Sequence, residues 1–388
     1  MSADLDAVLI GEADEALTVV ERVITAGQYA IDTEFHRERT YFPQLALIQI
    51  QVDDSIFLID PLAFDIRVMR PMFESDAVAV LHAARQDLEV LEHAVGAAPR
   101  RLWDTQLAAG FLGLSTPSLS SLLESELGVR VPKADRLTDW MRRPLSERQR
   151  NYAAADVANL RELHRRQSAE LTARSRMGWL TEALDELQAE YRGPRDPLEA
   201  WRRIKEARHL RGADLAIAQD LAAWRERRAQ HLDLTPRYVL ADLALVGLAV
   251  AKPTGADQLK DIRGVDQRAL RPVVDELIEV IATAADKRPR RDRGPVNNEL
   301  PAAMRPAVPL VSAWVAQLAK NQQIDPALLA TRSDLEAFLR GDAESRLLSG
   351  WRGDLVGTPL RRLVSGEVSL ALDPAEGLVL ERRSGDRA

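Results

Sequence analysis

Asp32 and Glu34 stand one residue apart at the end of the apolar run YAIDTEF (29–35). In a strand, residues two apart point the same way, so both carboxylates share a face with Ala30. Ile31, Thr33 and Phe35 take the other face. Adjacent carboxylates repel unless a cation or a proton lies between them; alone, the pair reads as a solvated strand end. Two later segments add acids. In LHAARQDLEVLEHA (81–94), Asp87 falls early in a helix that buries Leu88 and Leu91; alone it is an acid suited to a helix N-terminus. In NYAAADVANLRELH (151–164), Tyr152 and Asp156 are four apart and share a helix face; alone they are a packed ring and a solvated charge. Together, four carboxylates without cysteine or a histidine cluster form a hard oxygen donor set, suited to Mg²⁺ or Mn²⁺ rather than zinc. Two such ions about 4 Å apart clamp the attacking and leaving oxygens of a phosphodiester. A tyrosine hydroxyl beside the last acid is placed to hold the attacking water.

The elements that must position these groups follow from hydrophobic period. AVLIG (7–11), YAIDTEF (29–35), LALIQIQVD (45–53), IFLID (56–60) and AVAVLH (77–82) are predicted strands, with VDDS as a hairpin turn. ADEALTVVERVITA (13–26) has helical spacing, and from about residue 84 the patterns are helical. An α/β domain follows, its mixed sheet made of a meander plus a strand reached through a helix. Residues 171–195 predict one more helix, ending at the Gly-Pro and Asp-Pro pairs of RGPRDP. Residues 197–286 predict a small all-α domain, and 287–298 a basic, proline-containing linker. Residues 299–371 are again helical, and the last dozen are expected to fray. LTPRYVLADLALVGL and IDPALLATRSDLEAFL align by eye, so the third segment reads as a diverged copy of the second.

The chain has 388 residues, no cysteine and a formal charge of −7. A disulfide framework, a cysteine-ligated zinc and a cysteine nucleophile are excluded. No run of about 18 apolar residues predicts a membrane span, and the acidic start lacks the basic n-region of a secretory signal. A cytoplasmic protein is expected. The negative mean hides basic clusters: residues 130–150 hold seven Lys/Arg against three Asp/Glu, 201–228 eight against four, and 287–293 five against one. Such clusters suit a polyanion met along particular faces; singly, each reads as a solvated helix face.

The acids and their surroundings resemble the DEDD exonucleases, and within them the ribonuclease D family. The motifs stand as IDTEF (31–35), HAARQDLEVL (82–91) and YAAADV (152–157). RTYFPQLALIQI (39–50), LIDP (58–61), WDTQLAAGF (103–111) and RLTDWMRRPLSERQRNYAAAD (136–156) are similar too. The resemblance implies a ribonuclease H-like α/β exonuclease domain with a mixed central sheet over 1–192, followed by an HRDC domain at 197–286. A second, diverged HRDC-like helical domain would occupy 299–388, past the linker. It implies Asp32, Glu34, Asp87 and Asp156 as ligands of two Mg²⁺ or Mn²⁺ ions and Tyr152 as the residue orienting water. Asn151 occupies the place of the histidine of the sister subclass, which points to the tyrosine subclass.

The implied reaction is 3′-to-5′ hydrolysis of RNA with a free 3′ end, releasing nucleoside 5′-monophosphates. The resemblance implies transfer RNA precursors as substrates, and a monomer is expected. Candidate nucleic-acid contacts are Phe35, His82, Gln86, Arg142 and Arg143 near the acids, with Arg37 and Arg39 beside them. In the helical module they are Arg202, Lys205, Arg225, Arg227 and Arg228. For each a structural role is the alternative: core packing for Phe35, a capped imidazole for His82, a solvated face for the arginines. Trp140 is read as core. A DNA exonuclease of the same fold and an inactive nucleic-acid adaptor are the competing functions.

Overall fold

The computed structural model describes residues 6–131, 138–190, 193, 196–290 and 300–383. These fall into two compact units. One gathers the described parts of Met1–Glu34, Ala46–Tyr191 and Asn297–Ala388; the other, those of Phe35–Leu45 and Arg192–Val296.

A six-stranded sheet organises the first unit. Its strands are β1 (Ala7–Ile10), β2 (Gln28–His36), β3 (Gln44–Val52), β4 (Ser55–Ile59), β5 (Val78–Leu81) and β6 (Arg101–Asp104). The order is β1-β4-β3-β2-β5-β6. β3 and β4 pair antiparallel across the expected turn, where Asp53 takes a left-handed φ of 51°. The pairs β1–β4, β2–β5 and β5–β6 are parallel, so the sheet is mixed, as the pattern predicts. β6 departs from expectation, which placed only helices beyond residue 84. Four residues carry too short a period to be distinguished from a helix start.

β2 is inside the sheet, and Tyr29, Ala30 and Ile31 are fully buried. From Asp32 onward its burial is partial, apart from buried Thr33. The helices of this part are α1 (Ala13–Ala26), α2 (Arg85–Val95), α3 (Thr105–Gly110), α4 (Glu147–Ala158), α5 (Leu160–Ala173) and α6 (Met177–Glu190). α4 begins with a capping box: Ser146 Oγ accepts from Gln149 N, and Gln149 Oε1 accepts from Ser146 N. Such a start contributes about 1 kcal/mol and fixes where the helix begins.

The second unit is helical. Trp201, Leu221 and Trp224 share its core with Leu245, Leu248, Leu277 and Ile281. They come from a 3₁₀ turn (Pro197–Arg203), α7 (Gly212–Leu232), α8 (Asp242–Ala251) and α9 (Val274–Ala285). The connection between β2 and β3 folds into this unit. Tyr41 Oη donates to Glu226 Oε1 at 2.7 Å, and Asp233 Oδ1 accepts from the amides of Tyr41 and Phe42. Lys287 and Arg290, at the start of the predicted linker, pair with Asp220; residues 291–298 of that linker lie outside the described residues.

The third segment contains α10 (Ala307–Gln322), α11 (Arg332–Arg340) and α12 (Thr358–Val364). α10 ends in left-handed Gln323, as α7 ends in left-handed Asp233. In each case a proline-led four-residue helix follows (Pro236–Val239, Pro326–Leu329), then two extended residues and another helix. The two aligned stretches therefore share a local order.

This segment packs with the nuclease part of the first unit. Asp325 N donates to Gly110 O at 2.8 Å, and a Cβ on Gly110 would stand 2.7 Å from Leu328 Cδ1. Buried Arg176 donates to the carbonyls of Phe111, Gln322 and Gln323, and Trp351 stacks on Trp179. The expected frayed end is corrected: β7 (Val368–Asp373) and β8 (Gly377–Arg382) form an antiparallel hairpin. VSLALD and GLVLER alternate with a strand's period, and Asp373 Oδ1 accepts from Ala375 N and Glu376 N to make the turn.

Candidate active site

β2 and α4 bring three of the predicted acids together. Carboxylate oxygens of Asp32, Glu34 and Asp156 lie within 4.8 Å of one another. Among the described residues no other group of three Asp, Glu, His or Cys residues meets that spacing. The i, i+2 relation on a strand supplies the first two and a capped helix the third.

Asp87, in the first turn of α2, stands beside this group. Its Oδ1 accepts the hydroxyl hydrogen of Thr33 at 2.5 Å, and both residues are buried. The turn that launches α2 is held by a further acid. Buried Asp104 accepts from the amides of Ala83 and Ala84, and also from those of Gln106 and Leu107 at the start of α3. Ala83 is left-handed, φ 59°, a conformation that costs a non-glycine residue about 1 kcal/mol and here rests on those bonds.

The electrostatics are those of crowded acids. Burial raises the Asp32 carboxyl well above its ordinary value, and Asp87, Asp156 and Glu34 add to the rise. Burial, then Asp156 and Asp87, push Glu34 up to about 8. Burial takes Asp87 to about 7, against the opposing bond from Thr33. The Tyr152 phenol is raised by burial, by the charges of Asp156 and Glu34, and by its hydrogen bond to Asp156. Oxygen donors that resist ionisation because they are buried and, for Asp32 and Glu34, because of neighbouring acids fit a divalent cation, which favours the charged form of all of them.

The remaining candidates divide. His82 Nδ1 pairs with Thr105 Oγ1 at 2.9 Å, and burial lowers the imidazole's pKa; the capped-imidazole alternative describes it. Gln86 is exposed beside Asp87, Phe35 is half-buried, and Arg142 is exposed. Arg143 is corrected: Nε and Nη2 hold both oxygens of Asp60, Nη2 also donates to Ala46 O, and Nη1 to Trp140 O and Arg142 O. No donor is left for a phosphate. Trp140 is core, as expected, with its ring 6.0 Å from that of Tyr152.

In the second unit Arg225 is also corrected. It is 5% exposed, and Nη1 donates to Leu240 O and Asp242 Oδ1, so it joins α7 to the start of α8. Arg228 pairs with Glu276 and lies over the Trp224 ring; Arg202 pairs with Glu199 over Trp201. Lys205 and Arg227 are exposed. Thr33, Asp60 and Asp104 were not singled out from sequence. Asp104 carries a signal, a helix-capping Asp before TQLAAG; Thr33 and Asp60 lie in the similar stretches IDTEF and LIDP, but nothing there marks their partners, which are remote in the chain.

Residues 8–171 match the family described as 3′-5′ exonuclease, and 214–281 match the HRDC domain. The chain is 36% identical over 381 residues to ribonuclease D of Jannaschia sp. (strain CCS1), covering 93% of this chain and 96% of the relative. It is 33% identical over 379 residues to ribonuclease D of Acidiphilium cryptum (strain JF-5), covering 94% of each. Among solved structures it superimposes on Escherichia coli RNase D, described as an exoribonuclease involved in structured RNA processing. The TM-score is 0.83 at 30% identity, over 93% of this chain and 99% of that one.

Proposed function

Because the chain belongs to the ribonuclease D family, we propose that its 3′-to-5′ exoribonuclease activity resides at Asp32, Glu34, Asp87, Asp156 and Tyr152. The observation that carries this is the meeting of Asp32, Glu34 and Asp156 oxygens within 4.8 Å. The family is divalent-metal dependent. Asp32, Glu34 and Asp156, with Asp87 beside them, would hold two Mg²⁺ or Mn²⁺ ions, which would supply charge neutralisation and acidify the attacking water.

The chain's own groups do the positioning. Tyr152, beside Asp156, orients the water toward the terminal phosphodiester. The water oxygen bonds to phosphorus, the bond to the 3′ oxygen of the preceding nucleotide breaks, and a nucleoside 5′-monophosphate leaves. Thr33 keeps Asp87 in place and favours its ionised form. Phe35 offers a ring for the terminal base, and exposed Gln86 and Arg142 offer polar contacts to ribose and phosphate. Within the HRDC domain itself Lys205, Arg202 and Arg228 are the groups for phosphate contact, and residues 299–388 form a second, diverged HRDC-like domain. The recurrence of helix, left-handed cap, proline-led turn and helix supports that assignment.

RNA with a free 3′ end is the substrate, transfer RNA precursors in the cell, acted on by a cytoplasmic monomer. No helix of the described residues is long and apolar enough to cross a membrane. The test is release of 5′-monophosphates from matched RNA and DNA oligomers with free 3′ ends, with Mg²⁺ or Mn²⁺ and with chelator. Asp32→Ala should lower the rate by about 10³-fold or more; an intact rate would refute the assignment. Equal hydrolysis of DNA would make the chain a general exonuclease, and no product from either a binding adaptor.

A further inference from the structure

Arg143 joins the sheet to the segment that leads into α4, two places far apart in sequence. Its partner Asp60 directly follows β4, and its other distant acceptor, Ala46 O, is on β3, the neighbour of β2. In the other direction it gathers the carbonyls of Trp140 and Arg142. Three residues later Ser146 caps α4, which packs on β4 and carries Tyr152 and Asp156. Trp140, whose carbonyl Arg143 holds, places its ring beside Tyr152. Gln149 Nε2 adds a tie from the first turn of α4 to Asp139 O. The pair is enclosed, with side-chain exposures of 24% for Arg143 and 11% for Asp60. Burial alone would raise the Asp60 carboxyl; the Arg143 hydrogen bonds and the Leu62 amide hold it below its ordinary value.

We infer that the Asp60–Arg143 pair is a positioning device that sets α4 against the sheet, aligning Asp156 and Tyr152 with Asp32 and Glu34. The inference rests on the site assigned above. It gives these two residues no contact with substrate or metal. A guanidinium suits the task because its fixed fork binds one carboxylate in two places while its remaining donors reach three carbonyls. A lysine supplies the charge without the fork.

The test compares Arg143→Lys and Asp60→Asn with Arg67→Lys, which alters an exposed Arg–Asp pair. Two readouts are taken on the full chain: steady-state hydrolysis of an RNA oligomer, and Mn²⁺ affinity by titration calorimetry. For Arg143→Lys, kcat should fall about 10- to 100-fold with KM within about twofold. Its Mn²⁺ dissociation constant should rise about 10-fold. Arg67→Lys should change neither.

A folded Arg143→Lys protein with wild-type kcat and Mn²⁺ affinity overturns the inference. So does a raised KM with unchanged kcat and a shallower salt dependence, since that marks a phosphate contact. If Arg143→Lys fails to fold, Asp60→Asn, which keeps acceptor oxygen but loses charge, decides by the same two readouts. A wild-type protein that binds Mn²⁺ but releases no nucleotide refutes the assigned activity, while the calorimetry still judges the pair. One that does neither removes both.

Discussion

Thr33 and Asp87, 54 positions apart, are joined by a 2.5 Å hydrogen bond in which the threonine hydroxyl donates to the carboxylate. The residue between the two strand acids thus anchors the helix acid. Thr33 points away from the face of Asp32 and Glu34 on β2, yet belongs to the same constellation.

Thr33→Val removes that donor without changing volume much. Leaving the buried carboxylate short of a partner should cost about 1–3 kcal/mol in urea unfolding. The bond favours ionised Asp87, so its loss should raise a pKa already near 7. At limiting Mn²⁺ the acid limb of the activity profile should then move to higher pH; an unmoved limb would separate Asp87 from metal binding.

Glu34 is raised to about 8 in the folded, metal-free chain, against about 4.3 for a free glutamate. Between these values the folded state holds more protons than the unfolded one, so stability falls as pH rises through that window. Thermal melting in chelator should show this decline from about pH 5 to pH 8. Glu34→Gln should flatten the slope, raise the melting temperature at pH 8, and abolish the Mn²⁺-induced increase. A steeper decline in the variant would contradict the assignment.

Tyr152→Phe keeps the ring beside Trp140 and deletes only the hydroxyl. The rate should fall by about 100-fold, the scale for losing one aligned polar group at a reaction centre. Mn²⁺ affinity should stay close to wild type, because the phenol is outside the carboxylate group. Single-turnover hydrolysis and calorimetry measure the two independently.

Arg225→Ala breaks a buried bond to Leu240 O and one to Asp242. It should destabilise the protein by about 2–4 kcal/mol. RNA affinity of the folded protein should be unchanged and keep its salt slope. A slope shallower by about one unit would restore Arg225 as a phosphate contact.

The acids and their order are legible in the chain alone. Asp32 and Glu34 share a strand face, and Tyr152 and Asp156 a helix face, by local geometry that needs no tertiary information. The meander, the mixed sheet and the helical modules were legible for the same reason: period two and period 3.6 are written along the chain. Matters of partnership emerged only once the chain was packed. Arg143 and Arg225 counted as basic charge in their clusters, but each is spent on a carboxylate and carbonyls inside the fold. The roles of Asp60 and Thr33 had no mark, because the groups that use them arrive from 83 and 54 positions away. The stretch between the predicted strands 29–35 and 45–53 carries no mark of its partner, yet the amides of Tyr41 and Phe42 and the Tyr41 hydroxyl are claimed by Asp233 and Glu226 of the helical unit. Charge and period are properties of a segment, whereas a hydrogen-bond partner is a property of the packed chain.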